Sequence, residues 1–197
     1  MPLPKPPSIE SARLHIRLVA ESDLPALFEI NGDPEVTKFL PSTWNSMQDA
    51  RAWFERMLEI HDSGLGLQFA IADRLTGKVI GTCMLFDFDE PNACAELGYI
   101  LARAHWGRGY MLEALTAFLD AAFTHMSLRR LGAHIDPLNT PSARILERLG
   151  FTREGLLRQR WVTNGVIGDA AAYGLLQHEW PGSAAQARDL QPSVTSA

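Results

Sequence analysis

A carboxyl group within an apolar segment is the first feature of the sequence that could do chemistry. Glu96 is the one charged residue of ACAELGYILA (93–102), a segment that predicts a buried strand. Burial raises the pKa of a carboxyl group and prepares it to accept a proton, directly or through water. His134, in the next predicted strand, is a second candidate base because the ordinary pKa of histidine is near neutral. A surface-facing carboxylate and a packed histidine are the structural alternatives.

Two glycines mark the point where this strand gives way to a helix. Gly107, Arg108 and Gly109 lie in HWGRGYMLEAL (105–115), at the start of a helical pattern. Glycine permits a positive φ and close approach of a ligand, and the first turn of a helix presents unpaired N–H groups. These properties favour a phosphate-binding loop, with Arg108 adding charge. The alternative is a plain strand-to-helix turn, since neither G-x-G-x-x-G nor G-x-x-x-x-G-K-[ST] is present.

Asn139 and Ser142 begin a second helix of interest, NTPSARILERLG (139–150). Asn139 is the predicted N-cap, and Gly150 is the predicted stop. A capping asparagine can also contact a ligand, so the two roles are compatible. Ser142 places a hydroxyl in the first turn, where the structural alternative is an ordinary first-turn serine.

These residues require a framework of strands and helices in the order β-αα-βββ-α-β-α-ββ, which predicts an α/β (α+β) domain with one mixed sheet. The first strand is RLHIRLV (13–19), and Ser22 or Asp23 is expected to cap the helix after it. DPEVTKFL (33–40) is expected to be a short second helix. An amphipathic helix then runs to Gly64, and its predicted apolar face consists of Ala50, Trp53, Phe54, Met57 and Leu58.

Composition limits the class of protein. The chain has 197 residues, a formal net charge of −5 and a hydrophobic fraction of 46%, which is typical of a globular domain and argues against a nucleic-acid partner. No apolar run is long enough for a membrane span, and no signal peptide is recognised, so we expect a cytoplasmic protein. Residues 1–9 and 181–197 are expected to be flexible ends around a domain of residues 10–180.

Cysteines and histidines give no sign of a metal or a disulfide. Cys83 and Cys94 are expected to be buried free thiols on facing strands of a hairpin. The six histidines show no metal-ligand spacing, so no metal is expected.

Three stretches in this order resemble the GNAT superfamily of acetyl-CoA-dependent N-acetyltransferases. They are AELGYILARAHWGRGYMLEAL (95–115), NTPSARILERLGFTREG (139–155) and GDAAAYGLLQHEW (168–180). The resemblance covers residues 12 to 180, and it is greatest to the branch with Rim-type acetyltransferases of ribosomal-protein N-termini. It implies a single, mostly antiparallel mixed sheet of about seven strands flanked by helices, with a splayed pair of parallel strands that binds CoA.

The resemblance also implies a set of acetyl-CoA contacts and no metal. The backbone of the strand before the loop would pair with the pantetheine arm, and the loop and Asn139 would hold the rest of the molecule. Those residues are Tyr99, Ile100, Leu101, Gly107, Arg108, Gly109, Tyr110, Met111, Leu112 and Asn139. Within the family pattern Q/R-x-x-G-x-G/A, Gly109 fits, whereas Trp106 and Met111 depart from it.

Direct attack of an amine on the thioester is the reaction that the resemblance implies, with Glu96 as the first candidate base. His134 and bulk water remain alternatives for that role. The family's general-acid tyrosine falls on Leu146, which has no proton to give, and Ser142 is the nearest hydroxyl for the departing thiolate. The expected acceptor is a protein or peptide N-terminal amine, near walls that Trp44 and Trp161 would supply.

Other functions stay open at this point. A small-molecule amine is the alternative acceptor, a non-catalytic acyl-CoA-binding module is the non-enzyme alternative, and a nucleotide-using transferase is a third. The protein is expected to be a monomer or a homodimer.

Overall fold

The computed structural model describes residues 8–163 and 165–182, which form one sheet with helices on both faces. The strands are β1 Ile9–Glu10, β2 Leu14–Leu18, β3 Gly66–Asp73, β4 Val79–Asp89, β5 Cys94–Leu101, β6 Arg130–Ile135, β7 Thr152–Thr163 and β8 Val166–Leu176. The helices are α1 Leu24–Asn31, α2 Met47–Asp62, α3 Tyr110–His125 and α4 Thr140–Arg148, joined by short 3-10 turns such as Arg103–His105.

The sheet has the order β1-β2-β3-β4-β5-β6-β8-β7. All neighbouring strands are antiparallel except β5 and β6, which are parallel. This confirms the predicted mixed, mostly antiparallel sheet, with one strand beyond the expected seven. The extra strand is β1, where Ile9, a residue of the predicted arm, pairs with Ile16. Residues 1–7 and 183–197, most of the two predicted flexible ends, lie outside the described residues.

Alternation along the strands gives the sheet two apolar faces. One face packs against α3 and α4, and it includes Phe69, whose ring lies 5.0 Å from that of Phe118. The other face packs against α1 and α2 through a smaller apolar cluster. Along β5, Leu97 and Tyr99 face α3 and α4, while Ile100 faces α1 and α2. Because side chains alternate along a strand, Glu96 shares the face of Ile100.

The parallel strands β5 and β6 separate after a short common stretch. Their pairing begins at Cys94 with Arg130 and ends at Glu96 with Gly132. Beyond that row, β5 stays paired with β4 as far as Leu101, and β6 stays paired with β8. The two strands therefore form a V that opens toward their carboxyl ends, and the predicted splay is present.

Several local predictions are wrong for identifiable reasons. Residues 33–40 form consecutive turns and bends instead of a short helix. Leu58 is 42% exposed, because the apolar face of α2 is narrower than its apolar residues suggest. Asp23 does not cap α1 through its side chain; it pairs with Arg17 at 2.7 Å.

The cysteine prediction is correct for one residue only. Cys83 is buried and free, and burial raises the pKa of its thiol. Cys94 is also free, but it is only half-buried. The strand register places Tyr99 opposite Cys83 and Asp89 opposite Cys94, so the two thiols do not face each other.

Candidate functional site

Glu96 lies at the vertex of the V, in the last row that β5 and β6 share. Its side chain is 24% exposed, and Oε2 lies 3.1 Å from Nδ1 of His134. The two groups form an ion pair when the histidine is protonated. Within the described residues, however, Oε2 is shielded from solvent and accepts no well-aligned hydrogen bond. The two sequence candidates for the base are therefore neighbours, and the unsatisfied oxygen of Glu96 is the one that lies against the ring of His134.

Gly132 leaves the space that this carboxylate occupies. A Cβ atom at position 132 would overlap the carboxyl group of Glu96. Sequence reasoning did not single out Gly132. A glycine inside a strand is the available signal, since it marks close approach by another group.

The surroundings of Glu96 tune its proton affinity. Burial raises the pKa of this carboxyl group, and the nearby charge and hydrogen-bonding capacity of His134 oppose the rise. Asp87 raises the pKa further, and Arg130 lowers it. A carboxylate with a raised pKa is a better proton acceptor at neutral pH than an ordinary one.

The glycine loop has the backbone geometry that the sequence predicted. Gly107 and Gly109 have φ values of 70° and 76°, and Gly109 is the N-cap of α3. At both positions a side chain would be strained. Since the first N–H groups of a helix lack partners within it, this turn can accept an anion. Met111 departs from the family pattern. Its side chain is buried in the apolar cluster between the sheet and helices α3 and α4, and does not face the loop surface.

Arg13, the residue just before β2, contacts both this loop and the first turn of α3. Sequence reasoning did not identify it. Its Nε lies 2.6 Å from Oε2 of Glu113 in the first turn of α3, and its backbone N–H donates to Oε1 at 2.7 Å. Nη1 of Arg13 donates to the carbonyl oxygen of Arg108 at 3.1 Å. Its guanidinium also lies over the ring of Tyr110, 4.1 Å from the centroid. These contacts tie the loop backbone to the start of the helix.

Only every second residue of β5 directs its backbone N–H and C=O groups into the V. The N–H of Ala102 donates to Ile80 on β4, and the carbonyl of Ile100 is turned toward Gly81 on β4. Because backbone groups alternate in direction, those of Tyr99 and Leu101 point toward β6. The carbonyl of Leu101 accepts a 2.8 Å hydrogen bond from the indole N–H of Trp106. Of the three residues predicted to contact pantetheine, Tyr99 and Leu101 therefore direct backbone groups into the V, whereas Ile100 directs its carbonyl group to β4.

Ser142 and Tyr99 meet where α4 begins. The hydroxyl oxygen of Tyr99 lies 2.6 Å from Oγ of Ser142, and it also lies 3.3 Å from the carbonyl oxygen of Ser142. Asn139 caps α4 as predicted, because its side chain accepts a hydrogen bond from the N–H of Ser142. Burial raises the pKa of Tyr99 to about 12. Leu146 is fully buried. Sequence reasoning assigned only the backbone of Tyr99 and missed its hydroxyl.

A pocket of about 120 Å³ lies between α2 and the face of the sheet that carries Glu96. Gln68, Met84 and Arg56 line it together with apolar side chains of α2. Gln68 is only 9% exposed, and its side-chain amide has no hydrogen-bond partner within residues 8–163 and 165–182. A Cβ atom at Gly98 would lie 3.0 Å from Cγ of Met84, so Met84 reaches from the pocket to the strand of Glu96.

The two predicted aromatic walls differ in their surroundings. The ring of Trp44 lies 5.4 Å from that of Trp53, and both pack against the smaller core. Trp161 is half-buried in the β7–β8 hairpin, next to Gly168. Trp53, and not Trp44, lines the pocket.

The described part of the chain contains no group of three or more metal-ligating side chains and no helix able to cross a membrane.

Comparison with known proteins gives a consistent result. Residues 13–152 match the model of the acetyltransferase (GNAT) domain. The uncharacterized N-acetyltransferase p20 of Bacillus licheniformis is 35% identical over 176 residues, which is 89% of this chain and 99% of that protein.

Solved structures agree with that match. The structure of Mycobacterium smegmatis RimJ in complex with CoA-disulfide superposes with a TM-score of 0.81 at 26% identity, covering 91% of this chain and 92% of that chain. The ribosomal-protein-S5-alanine acetyltransferase of Vibrio fischeri gives a TM-score of 0.74 at 26% identity, covering 88% and 98%.

Proposed function

Because this chain belongs to the acetyltransferase (GNAT) domain family, we propose that it transfers an acetyl group from acetyl-CoA to the N-terminal α-amine of a peptide or protein. The observation that supports this proposal most directly is the position of Glu96. Its carboxylate has an unsatisfied oxygen and lies at the vertex where β5 and β6 separate. The names of two similar structures, RimJ and the S5-alanine acetyltransferase, support a ribosomal-protein type of acceptor.

Acetyl-CoA supplies an activated thioester, and the residues of the cleft fit such a molecule. The turn at Gly107 and Gly109 offers backbone N–H groups to the pyrophosphate at the positive end of α3. The outward-facing backbone of Tyr99 can pair with an extended pantetheine arm as it would with a peptide strand.

Glu96 acts as the general base. An α-amine with a pKa near 8 is mostly protonated at neutral pH, so it must lose a proton before it attacks. Glu96 lies on the α1 and α2 side of the sheet, and this is the side on which the pocket lies. His134 opposes the rise that burial causes in the pKa of Glu96, and so favours the ionised form that accepts a proton.

Ser142 stabilises the departing thiolate from the opposite side of the sheet. It lies in the first turn of α4, on the face that carries Tyr99 and the α3 helix. Base and thiolate donor therefore approach the vertex of the V from opposite faces, which suits direct attack.

The pocket beneath α2 favours a peptide acceptor over a polyamine. The amide of Gln68 can donate to a peptide carbonyl and accept from a peptide N–H. Arg56, which forms no ion pair in the described part of the chain, puts a positive charge at the pocket. A second ammonium group of a polyamine would be repelled by that charge, whereas a neutral peptide backbone would not.

The test is thiol release from acetyl-CoA with a panel of peptides beginning with alanine or serine, free amino acids and polyamines. We expect turnover with peptides, and mass spectrometry should place the acetyl group on the α-amine. Glu96→Gln should bind acetyl-CoA with unchanged affinity, and its kcat should fall by about 10². Turnover with polyamines alone would overturn the choice of acceptor. Binding of acetyl-CoA without any turnover would instead indicate a non-catalytic module.

A further inference from the structure

We propose that the hydroxyl group of Tyr99 positions the hydroxyl of Ser142, so that Ser142 donates a hydrogen bond to the sulfur of CoA. The proposal rests on the proposed function, because it concerns the leaving group of the same reaction. It assigns to the side chain of Tyr99 a role in thiolate stabilisation that is separate from any contact of its backbone.

The two hydroxyl groups connect elements on either side of the V. Tyr99 is on β5, three residues past the last row that β5 shares with β6. Ser142 is in the first turn of α4, which follows β6 in the chain. The O–O distance of 2.6 Å is short for a neutral pair and indicates a well-formed hydrogen bond. It is therefore a link across the opening in which the thioester must lie.

Either hydroxyl could donate in this hydrogen bond, and the phenol of Tyr99 has one proton for two acceptors on Ser142, Oγ at 2.6 Å and the carbonyl oxygen at 3.3 Å. The shorter distance favours donation from Tyr99 to Oγ. The backbone N–H of Ser142 is already directed to Asn139, so the hydroxyl is the remaining donor of this residue. If Tyr99 donates to Oγ, the proton of Ser142 is released for a third partner. Burial raises the pKa of Tyr99 to about 12, so the phenol keeps its proton and remains a donor throughout the neutral range.

The need for such a donor follows from position 146. The family's tyrosine is replaced here by Leu146, which is fully buried in the main core and cannot donate. Without Tyr99, the hydroxyl of Ser142 would rotate freely about the Cβ–Oγ bond. A fixed acceptor interaction with Tyr99 removes that freedom, and preorganised donors stabilise developing charge better than mobile ones.

The decisive measurement is the ionisation of the CoA thiol bound to the protein, followed by the ultraviolet absorbance of the thiolate as a function of pH. It needs neither an acceptor amine nor turnover. We expect Ser142→Ala to raise the pKa of the bound thiol, and Tyr99→Phe to raise it by about one unit, a tenfold loss of thiolate at a given pH. In the Ser142→Ala background, Tyr99→Phe should have no further effect, because Tyr99 acts through Ser142.

Two controls separate this role from a structural one. Tyr173→Phe also removes a buried phenol, one that bonds to Glu147, and should leave the thiol pKa unchanged. Desulfo-CoA, which lacks the sulfur, should bind to wild type and Tyr99→Phe with equal affinity.

Two results would overturn the proposal. One is an unchanged thiol pKa in Tyr99→Phe, and the other is an equal shift with and without Ser142. If Tyr99→Phe loses both its activity and its affinity for desulfo-CoA, the hydroxyl of Tyr99 has a packing role. Failure of the wild type to bind CoA would contradict the proposed function itself. If the wild type does not acetylate peptides but Tyr99→Phe still raises the pKa of the bound thiol as expected, this inference stands.

Discussion

Gly132 lies directly opposite Glu96 in the last row that β5 and β6 share, and the carboxyl group of Glu96 occupies the space of the missing side chain. The candidate base is therefore seated against a strand backbone at the vertex of the cleft. Its orientation depends on a neighbour that carries no chemistry of its own.

Gly132→Ala should displace this carboxylate without unfolding the protein, because the flexible end of a side chain can move aside. We expect kcat to fall by at least about tenfold, a part of the typical contribution of general-base catalysis. The affinity for acetyl-CoA should remain near that of the wild type. Gly155→Ala, at a strand position with open space around it, is the matched control and should keep full activity. Wild-type kcat in Gly132→Ala would show that the position of Glu96 does not limit the reaction.

His134→Gln should move the acid limb of the pH profile to higher pH. A base is active when deprotonated, so kcat/KM rises as pH increases through the pKa of Glu96. Burial raises that pKa and His134 lowers it, so the pKa of Glu96 should be higher when His134 is removed. His125→Gln, at the exposed end of α3, is the control. Loss of the limb in His134→Gln, with no shift, would identify His134 as the titrating base.

Gly109→Val should weaken acetyl-CoA binding by at least about tenfold, or roughly 1.4 kcal/mol. A side chain at this N-cap would stand where the loop must approach phosphate, and φ of 76° is strained for valine. Gly165→Val imposes similar strain, at φ of 77°, in the turn between β7 and β8. Calorimetric titration with both variants separates strain from ligand contact. Equal loss of affinity in the two would argue against the loop assignment.

Arg13→Gln should raise the Kd for acetyl-CoA by about threefold to tenfold, because a loosened loop must be ordered on binding. The substitution removes the ion pair with Glu113 and the hydrogen bond to Arg108. Lys78→Gln, which breaks an exposed ion pair with Glu29, should leave the Kd unchanged. An Arg13→Gln variant with wild-type affinity would show that α3 and its N-terminal turn hold their shape without this contact.

The features that the sequence predicts best are local ones. Gly109 follows from the change between a strand pattern and a helix pattern, and Asn139 follows from the first turn of a helix. Both depend on a few neighbouring residues, and the structure places Gly109 in the turn that opens α3 and Asn139 at the predicted N-cap of α4. Local patterns were insufficient at Leu58, since the width of a helix's apolar face depends on the sheet beneath it.

Contacts between distant segments could not be read in the same way. Arg13 and Glu113 are about a hundred positions apart, and their meeting depends on how β2 lies relative to α3. The opposition of Gly132 and Glu96 depends on a parallel register that ends after three rows. Tyr99 reads as an ordinary aromatic residue of a buried strand until α4 brings Ser142 to its hydroxyl.

Gln68→Leu should raise the KM for peptide acceptors while leaving the Kd for acetyl-CoA unchanged. The amide of Gln68 lines the pocket on the face of Glu96, where it can pair with a peptide group of an acceptor that enters the pocket. Leucine keeps the volume and removes both hydrogen-bonding functions. KM should rise by roughly tenfold, as expected for loss of about 1.4 kcal/mol. Arg56→Glu is the companion variant, and it should improve turnover of polyamines relative to peptides. If Gln68→Leu instead keeps the wild-type KM for every peptide and Arg56→Glu leaves the polyamine-to-peptide ratio unchanged, the acceptor does not enter this pocket.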